Sequence, residues 1–541
     1  MTYSFFSSIL FKHLNHRTNL FILTCSVIIN TLISSPALSA TIVPLTVNLS
    51  EPVIVTGTPR ININVGGESR YATYTSGSGS SSLIFNYTLT AGDIDLDGIT
   101  LTSPIDLNGG SIKDTNNNNT SLAFTIPDTS GIKVDYPSIS MNFVSGSSGR
   151  YTFNTNSYNN LSSFLSSTGG NFSRASTGTY YDATGVLQTA PSGSPRFDYD
   201  PITHTAKGIL IEEQRTNIIN RSSEFDNAYW TKQLTTQITP NITQAPDGTM
   251  TADLMYPGTS GGPTQPRSVY AATAGNNVIS IYAKAAGLNW VSFIETTGHV
   301  SAAYFNLSNG TIGTVIPGYS ANIQAVGNGW YRCTVIANSG SFAFAQILVS
   351  SNNNSFSTVK NGTDGIYIWG VQMELGKFST SYIPTTTSSA TRNADIITIP
   401  TGSWYNQSAG SFANDVSWIS SSGTLYPMFF RVDDGTSNNR WNSFYSQPSN
   451  ALGVDTYTSS SPQGSWAFST TITGSAKIAG ASSLNNANSA FNGTLQTTDT
   501  SWNPPSVTQL KIQAGGAQEW HKTLKYYPIR VSDAQLQLLT Q

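Results

Sequence analysis

Charged residues are scarce in this sequence, and three short runs gather several of those it has. The first is Asp93-Ile94-Asp95-Leu96-Asp97-Gly98. Side chains two apart project to one side of an extended chain, so Asp93, Asp95 and Asp97 could share a calcium ion through oxygen ligands at roughly 2.3–2.6 Å. The run is not an EF-hand loop, because the position of the bidentate glutamate holds Pro104. The competing reading is a solvated strand face beside a turn. The second run is Glu212-Glu213-Gln214-Arg215. The third is Asp433-Asp434-Gly435 with Asn438-Asn439-Arg440, a polar loop just ahead of Trp441.

None of these runs reads as catalytic machinery. Adjacent carboxylates such as Glu212/Glu213 and Asp433/Asp434 point to opposite faces of a strand and make poor hydrolytic dyads. Beyond the first forty residues the histidines are His204, His299 and His521, with no His-x-x-x-His, His-Glu-x-x-His or Cys-x-x-Cys spacing around them, which argues against zinc. A Gly-x-Ser-x-Gly string occurs at Gly258-Thr259-Ser260-Gly261-Gly262, but Pro257 and Pro263 bracket it. It therefore lacks the strand before and helix after that a nucleophile elbow needs, and reads as a turn.

Glycan binding makes different demands. Aromatic rings cover the apolar faces of sugars, and Asn, Gln, Asp and Ser bond their hydroxyl edges. Trp230, Trp290, Trp441 and Trp502 lie beside polar or turn residues and are the platform candidates, with Asp433, Asp434, Asn439 and Arg440 as polar partners. Trp330 and Trp369 sit in alternating apolar stretches and are expected in a core.

The elements that must hold these residues are strands. Only 10% of the 541 residues are charged and the net charge is −3, so no basic surface offers itself to nucleic acid and no long charged helix faces are expected. With 24 Phe, 25 Tyr and 10 Trp, wholesale disorder is excluded as well. A chain rich in Ser, Thr, Asn and Gly and studded with aromatics is expected to form many strands joined by turns. The length suits about three domains at ~100–200 residues each. Cys25 falls in the leader described below, which leaves Cys333 without a disulfide partner in an apolar alternating stretch, as a small core residue.

Lys12, His13, His16 and Arg17 precede the apolar run 20–33 and the small-residue tail Ser34-Ser35-Pro36-Ala37-Leu38-Ser39-Ala40. That pattern is a secretory signal peptide, and the run is short for a span of ~20 residues. Cleavage fits best after Ser39, with Ala37 at −3. No other segment is apolar enough to cross a membrane, and the chain is expected to be secreted or displayed at the cell surface.

Residues 41–137 alternate apolar and polar with period two, as in Ile61-Asn62-Ile63-Asn64-Val65 and Leu83-Ile84-Phe85-Asn86-Tyr87, between Gly-rich turns. With Val55–Pro59 and Leu107–Asp114, this text resembles the immunoglobulin/cadherin-like repeats of large bacterial surface proteins, which implies a spacer or display module. Residues 138–215 read as a join, with Asn154–Ser167 as a loop or linker. Inside it, Phe172–Gly185, Pro195-Arg196-Phe197-Asp198-Tyr199-Asp200-Pro201 and Gly208–Asn217 resemble a segment of phage head-spike and tail-fibre proteins. That resemblance implies a structural polar network containing Glu212 and Arg215, in which a buried Arg–carboxylate pair fixes the join onto the next module.

The likeness continues through Ser222–Trp230, Ser280–Ala285, Gly329-Trp330-Tyr331-Arg332, Trp369–Gly376 and Arg392-Asn393-Ala394-Asp395. It implies that residues 216–395 form a jelly-roll carbohydrate-binding module, and the strand-length runs Val278–Ala283 and Ile366–Trp369 support a sandwich independently. Residues 396–541 close with Leu524–Leu536, which resembles the final segment of concanavalin A-like (laminin-G-like) lectin sandwiches. The resemblance places a ligand or calcium at a loop edge such as 433–440. Ser532 predicts an N-cap and a short helix, the one helix expected after the leader.

The fold expected is all-β: tandem β-sandwiches of immunoglobulin-like, jelly-roll and concanavalin A-like type. The function expected is an exported, non-catalytic glycan-binding or adhesive surface protein, with glycans or cell-surface polysaccharide as partner and calcium as the one cofactor in view. The alternatives are a structural fibre or spike component without sugar binding, which would form an oligomer such as a trimer, and an accessory part of a polysaccharide-degrading enzyme. The leader weighs against the fibre reading, because phage structural proteins assemble in the cytoplasm. N-terminal sequencing of the exported protein is expected to begin at Ala40; a chain that still carries Leu20–Ile33 would contradict a cleaved leader.

Overall fold

The computed structural model describes residues 42–144, 150–260, 267–271, 277–294, 300–342, 344–419, 427–446, 449–469 and 474–541. The expected leader and His299 lie outside these residues. The described chain is largely β, with two short helices. Among the described residues no helix is long and apolar enough to cross a membrane.

In the first module, strands Ile42–Thr56, Arg60–Val65, Glu68–Ser76, Ser80–Thr88, Thr100–Asp106 and Ser111–Asp114 join into one six-stranded sheet. The period-two text decides its faces: Ile61, Ile63 and Val65 are buried while Asn64 between them is exposed. Segment 122–136 closes the core from the other side through Phe124, Val134 and Tyr136. The turn between Val65 and Glu68 holds Gly66 and Gly67 at positive φ, and a Cβ on Gly66 would stand 1.9 Å from the Ile94 carbonyl oxygen, so only glycine fits there.

Residues 231–374 build a sandwich of two six-stranded sheets. One contains Arg267–Ala271, Ala345–Ser350, Trp290–Ile294 and Ser301–Asn306; the other contains Ala252–Pro257, Gly365–Glu374, Val278–Ala286, Trp330–Ala337 and Tyr319–Gly327. Ile279, Ile281, Cys333 and Val335 meet Val291, Phe293, Ile347 and Val349 between them. Each fully buried aliphatic side chain of this kind contributes about 1.5–3 kcal/mol. Cys333 is fully buried here, and burial pushes its thiol pKa well up, as a core cysteine requires.

The last sandwich is assembled from both ends of the chain. Its hub is strand Gln518–Tyr527, which pairs with Ala409–Ile419 on one side and, on the other, with Ala206–Glu212 and then Ile139–Asn142. Asn171–Ser173 pairs with Ile396–Pro400 in the facing sheet. The segment divided off as a join at 138–215 thus completes the sheets of 396–541, and the middle sandwich is inserted between the two. Residues 154–167, expected as a loop, hold all but the last residue of helix Leu161–Thr168, because Leu161, Phe164 and Leu165 bury one face of it, Asn160 caps its start by accepting from the Ser163 N–H at 2.8 Å, and Gly169 ends it at φ 71°. The expected final helix is Asp533–Leu538, capped by Ser532.

The inserted sandwich is joined to the last one by two adjacent antiparallel segments, Arg215–Asn217 and Ala390–Arg392. At this neck three buried guanidinium groups face three buried carboxylates. Arg174 Nη1 bonds Asp395 at 2.9 Å, and Arg196 Nη1 reaches Glu212 at 2.7 Å while its Nη2 bonds Asp395. Arg392 Nη1 stands 3.2 Å from Glu212, and Glu374 lies close to Arg392 through Thr380. Glu212 also accepts from Ser381 N, Ser381 Oγ and Gln518 Nε2 at 2.6–2.9 Å.

The expected network around Glu212 is present, but its partner is corrected. Arg215 pairs with Glu213 on a partly exposed face, because Glu212 and Glu213 point to opposite sides of the strand and only Glu212 turns inward. Burial alone would raise the Glu212 pKa; Arg392, Arg196 and Ser381 outweigh it and bring it down to about 2.

Removing one member of a buried charge group strands the others. Arg196→Met is expected to cost about 3–5 kcal/mol in chemical denaturation, and Arg215→Met less than about 1 kcal/mol. Equal costs would contradict this division. Because the folded pKa of Glu212 is depressed, its stabilising contribution is complete above about pH 5 and is lost as pH falls towards 2. The melting-temperature gap between the native protein and Glu212→Gln is expected to shrink over that window and to stay constant above it.

Candidate functional site

A cleft of about 110 Å³ opens where the neck brings the pieces together. One wall is the outer face of the inserted sandwich, with Tyr282, Arg332 and Thr334 and the exposed rim residues Asn322 and Gln324. The other wall comes from hairpin Gly178–Tyr181/Leu187–Ala190, strands Phe197–Tyr199 and Ala206–Glu212, and the hub strand, which contribute Tyr180, Tyr181, Tyr199, Lys207 and Trp520. Alternation explains the wall. Trp330, Arg332 and Thr334 share one side of their strand while Cys333 and Val335 face the sandwich core, so the outer side is left to meet the hairpin. Trp330 and Trp369 are buried as expected, in this second cluster, which packs Leu187 of the hairpin against the sheet.

The floor of the cleft belongs to the neck. Ser381 and Gln518 line it and bond Glu212; Thr179 lines it, gives its carbonyl to Arg196 Nη1 at 2.9 Å and donates to the Tyr382 carbonyl at 2.6 Å. Asp198 is buried in the wall and accepts from Tyr181 N–H and Trp520 Nε1, both at 2.7 Å, with Lys207 Nζ at 3.7 Å. Burial raises its pKa against the opposing pull of Lys207 and these donors. Lys207 Nζ stands 3.2 Å from the centre of the Trp520 ring, a cation–π contact, and burial lowers its pKa against the attraction of Asp198. The cleft is small beside the ~300–1,000 Å³ of pockets that enclose a drug-sized ligand, and suits a single ring or chain end.

The residues expected to form a site are dispersed. Trp230, Trp441 and Trp502 are core residues at 1%, 2% and 0% exposure, which corrects their reading as platforms. Trp230 packs against Phe225 with ring centres 4.8 Å apart and donates to the Arg221 carbonyl; Trp441 lies between Phe412 and Trp502. Each stands beside a turn in the sequence, but its ring folds inward over the sheet end, which flanking polarity does not reveal. Trp290 is half-buried, away from the cleft lining.

The 433–440 loop does edge a polar pocket of about 210 Å³, lined by Arg431, Asp433, Gln509, Lys511 and Gln513. Its carboxylates are already engaged. Asp433 pairs with Arg431 at 2.5 Å and accepts from Gly435 N and Gln509 Nε2; Asp434 accepts from Thr436 and Asn439, which bring its pKa down to about 2. Arg440 lies over the Tyr457 ring at 3.7 Å.

The three aspartates of the first module diverge. Asp93 pairs with Arg70 at 2.9 Å and accepts from Tyr87 and from Thr90 N; Asp95 accepts from Gly66 N and Gly98 N, both at 2.7 Å; Asp97 accepts from Gln535 Nε2 at 2.5 Å. Among the described residues no three His, Cys, Asp or Glu side chains gather as a metal set. The buried pair Glu519 and His521, 3.3 Å apart, lies inside the last sandwich, where burial raises the glutamate pKa and lowers the histidine to about 3.

Sequence reasoning missed the cleft residues Tyr180, Tyr181, Tyr199, Lys207, Arg332 and Trp520. The usable signal was the crowding of tyrosines in Thr179-Tyr180-Tyr181-Asp182 and Phe197-Asp198-Tyr199 within a polar stretch.

No protein-family model matches the chain, and no curated protein does. Among solved structures, the Ruminococcus gnavus IT-sialidase CBM40 bound to alpha2,3 sialyllactose superimposes with 13% identity over 25% of this chain and 84% of that one, at a TM-score of 0.21. The receptor-binding domain of botulinum neurotoxin mosaic serotype C/D does so with 9% identity over 27% of this chain and 39% of that one, at 0.23. Superpositions this loose fix neither a topology nor a site.

Since the aspartates at 93–97 bond protein groups, the melting temperature is expected to be the same in millimolar calcium chloride and in EDTA. A rise with calcium that Asp95→Asn abolishes would contradict that expectation.

Proposed function

We propose that this chain is an exported, non-catalytic glycan-binding surface protein whose sugar site is the cleft at the neck. The lining carries this reading. Tyr180 and Tyr199 offer partly open ring faces, and Asn322, Gln324 and Ser379 offer hydrogen-bonding edges in one concave place. Glycoside hydrolysis needs two carboxyl groups about 5–10 Å apart, whereas Asp198 is the one carboxylate among the described lining residues, and it already accepts from two donors and pairs with Lys207. The sandwich architecture supports lectin-like modules of jelly-roll and concanavalin A-like type. The leader pattern supports export, with the first module as a spacer.

Screening the full chain against a broad glycan array is expected to yield a ligand. Tyr180→Ala and Tyr199→Ala are each expected to weaken its binding by about tenfold, the equivalent of ~1.4 kcal/mol, with the circular dichroism spectrum unchanged. Folded protein that binds no glycan, or binding untouched by either variant, would overturn this assignment.

A further inference from the structure

Four arginines are buried among the described residues: Arg174, Arg196, Arg332 and Arg392. Three of them belong to the neck and lie within hydrogen-bond reach of Glu212 or Asp395. Arg332 is the exception. It is 9% exposed and has no carboxylate within ion-pair distance among the described residues. Its one hydrogen bond among them runs from Nη2 to Ser280 Oγ at 3.1 Å, and its Nε is buried without a partner. The Tyr282 ring, 5.4 Å from the guanidinium carbon, gives it a cation–π neighbour. That contact takes none of its N–H donors, of which Nη2 alone is engaged, and a buried guanidinium with open donors is costly unless something pairs with it.

Arg332 lines the cleft. The other charges there cancel, since Lys207 is matched by Asp198. The lining therefore carries one uncompensated positive charge, set in low-dielectric surroundings beside sugar-binding side chains. Guanidinium groups bind carboxylates through two parallel N–H···O bonds, a geometry a lysine cannot copy. Resting on the reading of the cleft as a glycan site, we infer that it selects a hexuronate residue, whose ring lies against Tyr180 and Tyr199 and whose carboxylate is held by Arg332.

The test is calorimetric titration of the full chain with three probes, tetragalacturonate, a hyaluronan tetrasaccharide and trimannuronate, each beside its carboxyl-reduced counterpart and a sulfated neutral tetrasaccharide. At least one uronate is expected to bind, and reducing its carboxyl groups is expected to weaken binding at least about 30-fold, the scale of a lost buried charge partner. Arg332→Gln is expected to weaken the uronate by a similar factor and to leave the reduced probe unchanged, a difference that a purely structural role would not produce. Arg332→Lys should fall between the two. The carboxyl-reduction comparison uses the unaltered protein and stands even if an Arg332 variant fails to fold. Equal binding of uronate and reduced probe, lost in Tyr180→Ala, overturns the uronate inference and leaves glycan binding in place. Binding of the sulfated probe alone also overturns it. Binding of neutral array glycans with none of these probes does the same, and absence of all glycan binding overturns both readings.

Discussion

The charge cluster at the neck holds the floor of the cleft and joins the two pieces that wall it. Burying an ion is expensive, and three guanidinium groups with three carboxylates are tolerated only because each finds partners at hydrogen-bond distance. Such a cluster is a poor glue, since apolar side chains of the same volume would serve about as well. What it does supply is a shared set of bonds, in which Glu212 and Asp395 tie Arg174, Arg196 and Arg392 to Ser381 and Gln518. Ser381, Gln518 and Thr179 carry that geometry directly into the cleft floor.

The same use of charge recurs where the first module meets the last. Gln535, in the final helix, accepts from Leu96 N at 2.8 Å and donates to Asp97, while Asp135 pairs with Lys525 and accepts from Tyr527 at 2.7 Å. Ile94 packs with Tyr527, Val531 and Leu536 in a small shared core. Several of the few charges in a chain that is only 10% charged thus sit at seams between pieces.

Much of the fold could be read from periodicity. The alternation at 61–65 gave a strand and its buried face, and the β-branched run 278–283 gave a strand that is buried on both sides. The Ser532 cap was legible for the same local reason. The insertion was not: nothing within residues 139–212 says that their partners lie at 396–400 and 518–527, since register between distant strands is a tertiary choice. Glu212 was singled out only by what the resemblance of Gly208–Asn217 implied, and periodicity did not point to it. Its partners were not singled out, because Arg196 and Arg392 are brought to it by the neck while Arg215 is merely near in sequence. The tryptophans misled for a related reason, as a polar neighbour says nothing about which way a large ring folds. The cleft joins residues 179 to 520, so only the assembled neck reveals it.

Differential scanning calorimetry of the exported chain bears most directly on the claim that the neck makes the inserted and last sandwiches one body. The two are expected to melt in a single cooperative transition, which separates into two when Asp395, shared by Arg174 and Arg196, is replaced by Asn. Two independent transitions in the unaltered protein, or one undivided transition in Asp395→Asn, would contradict it.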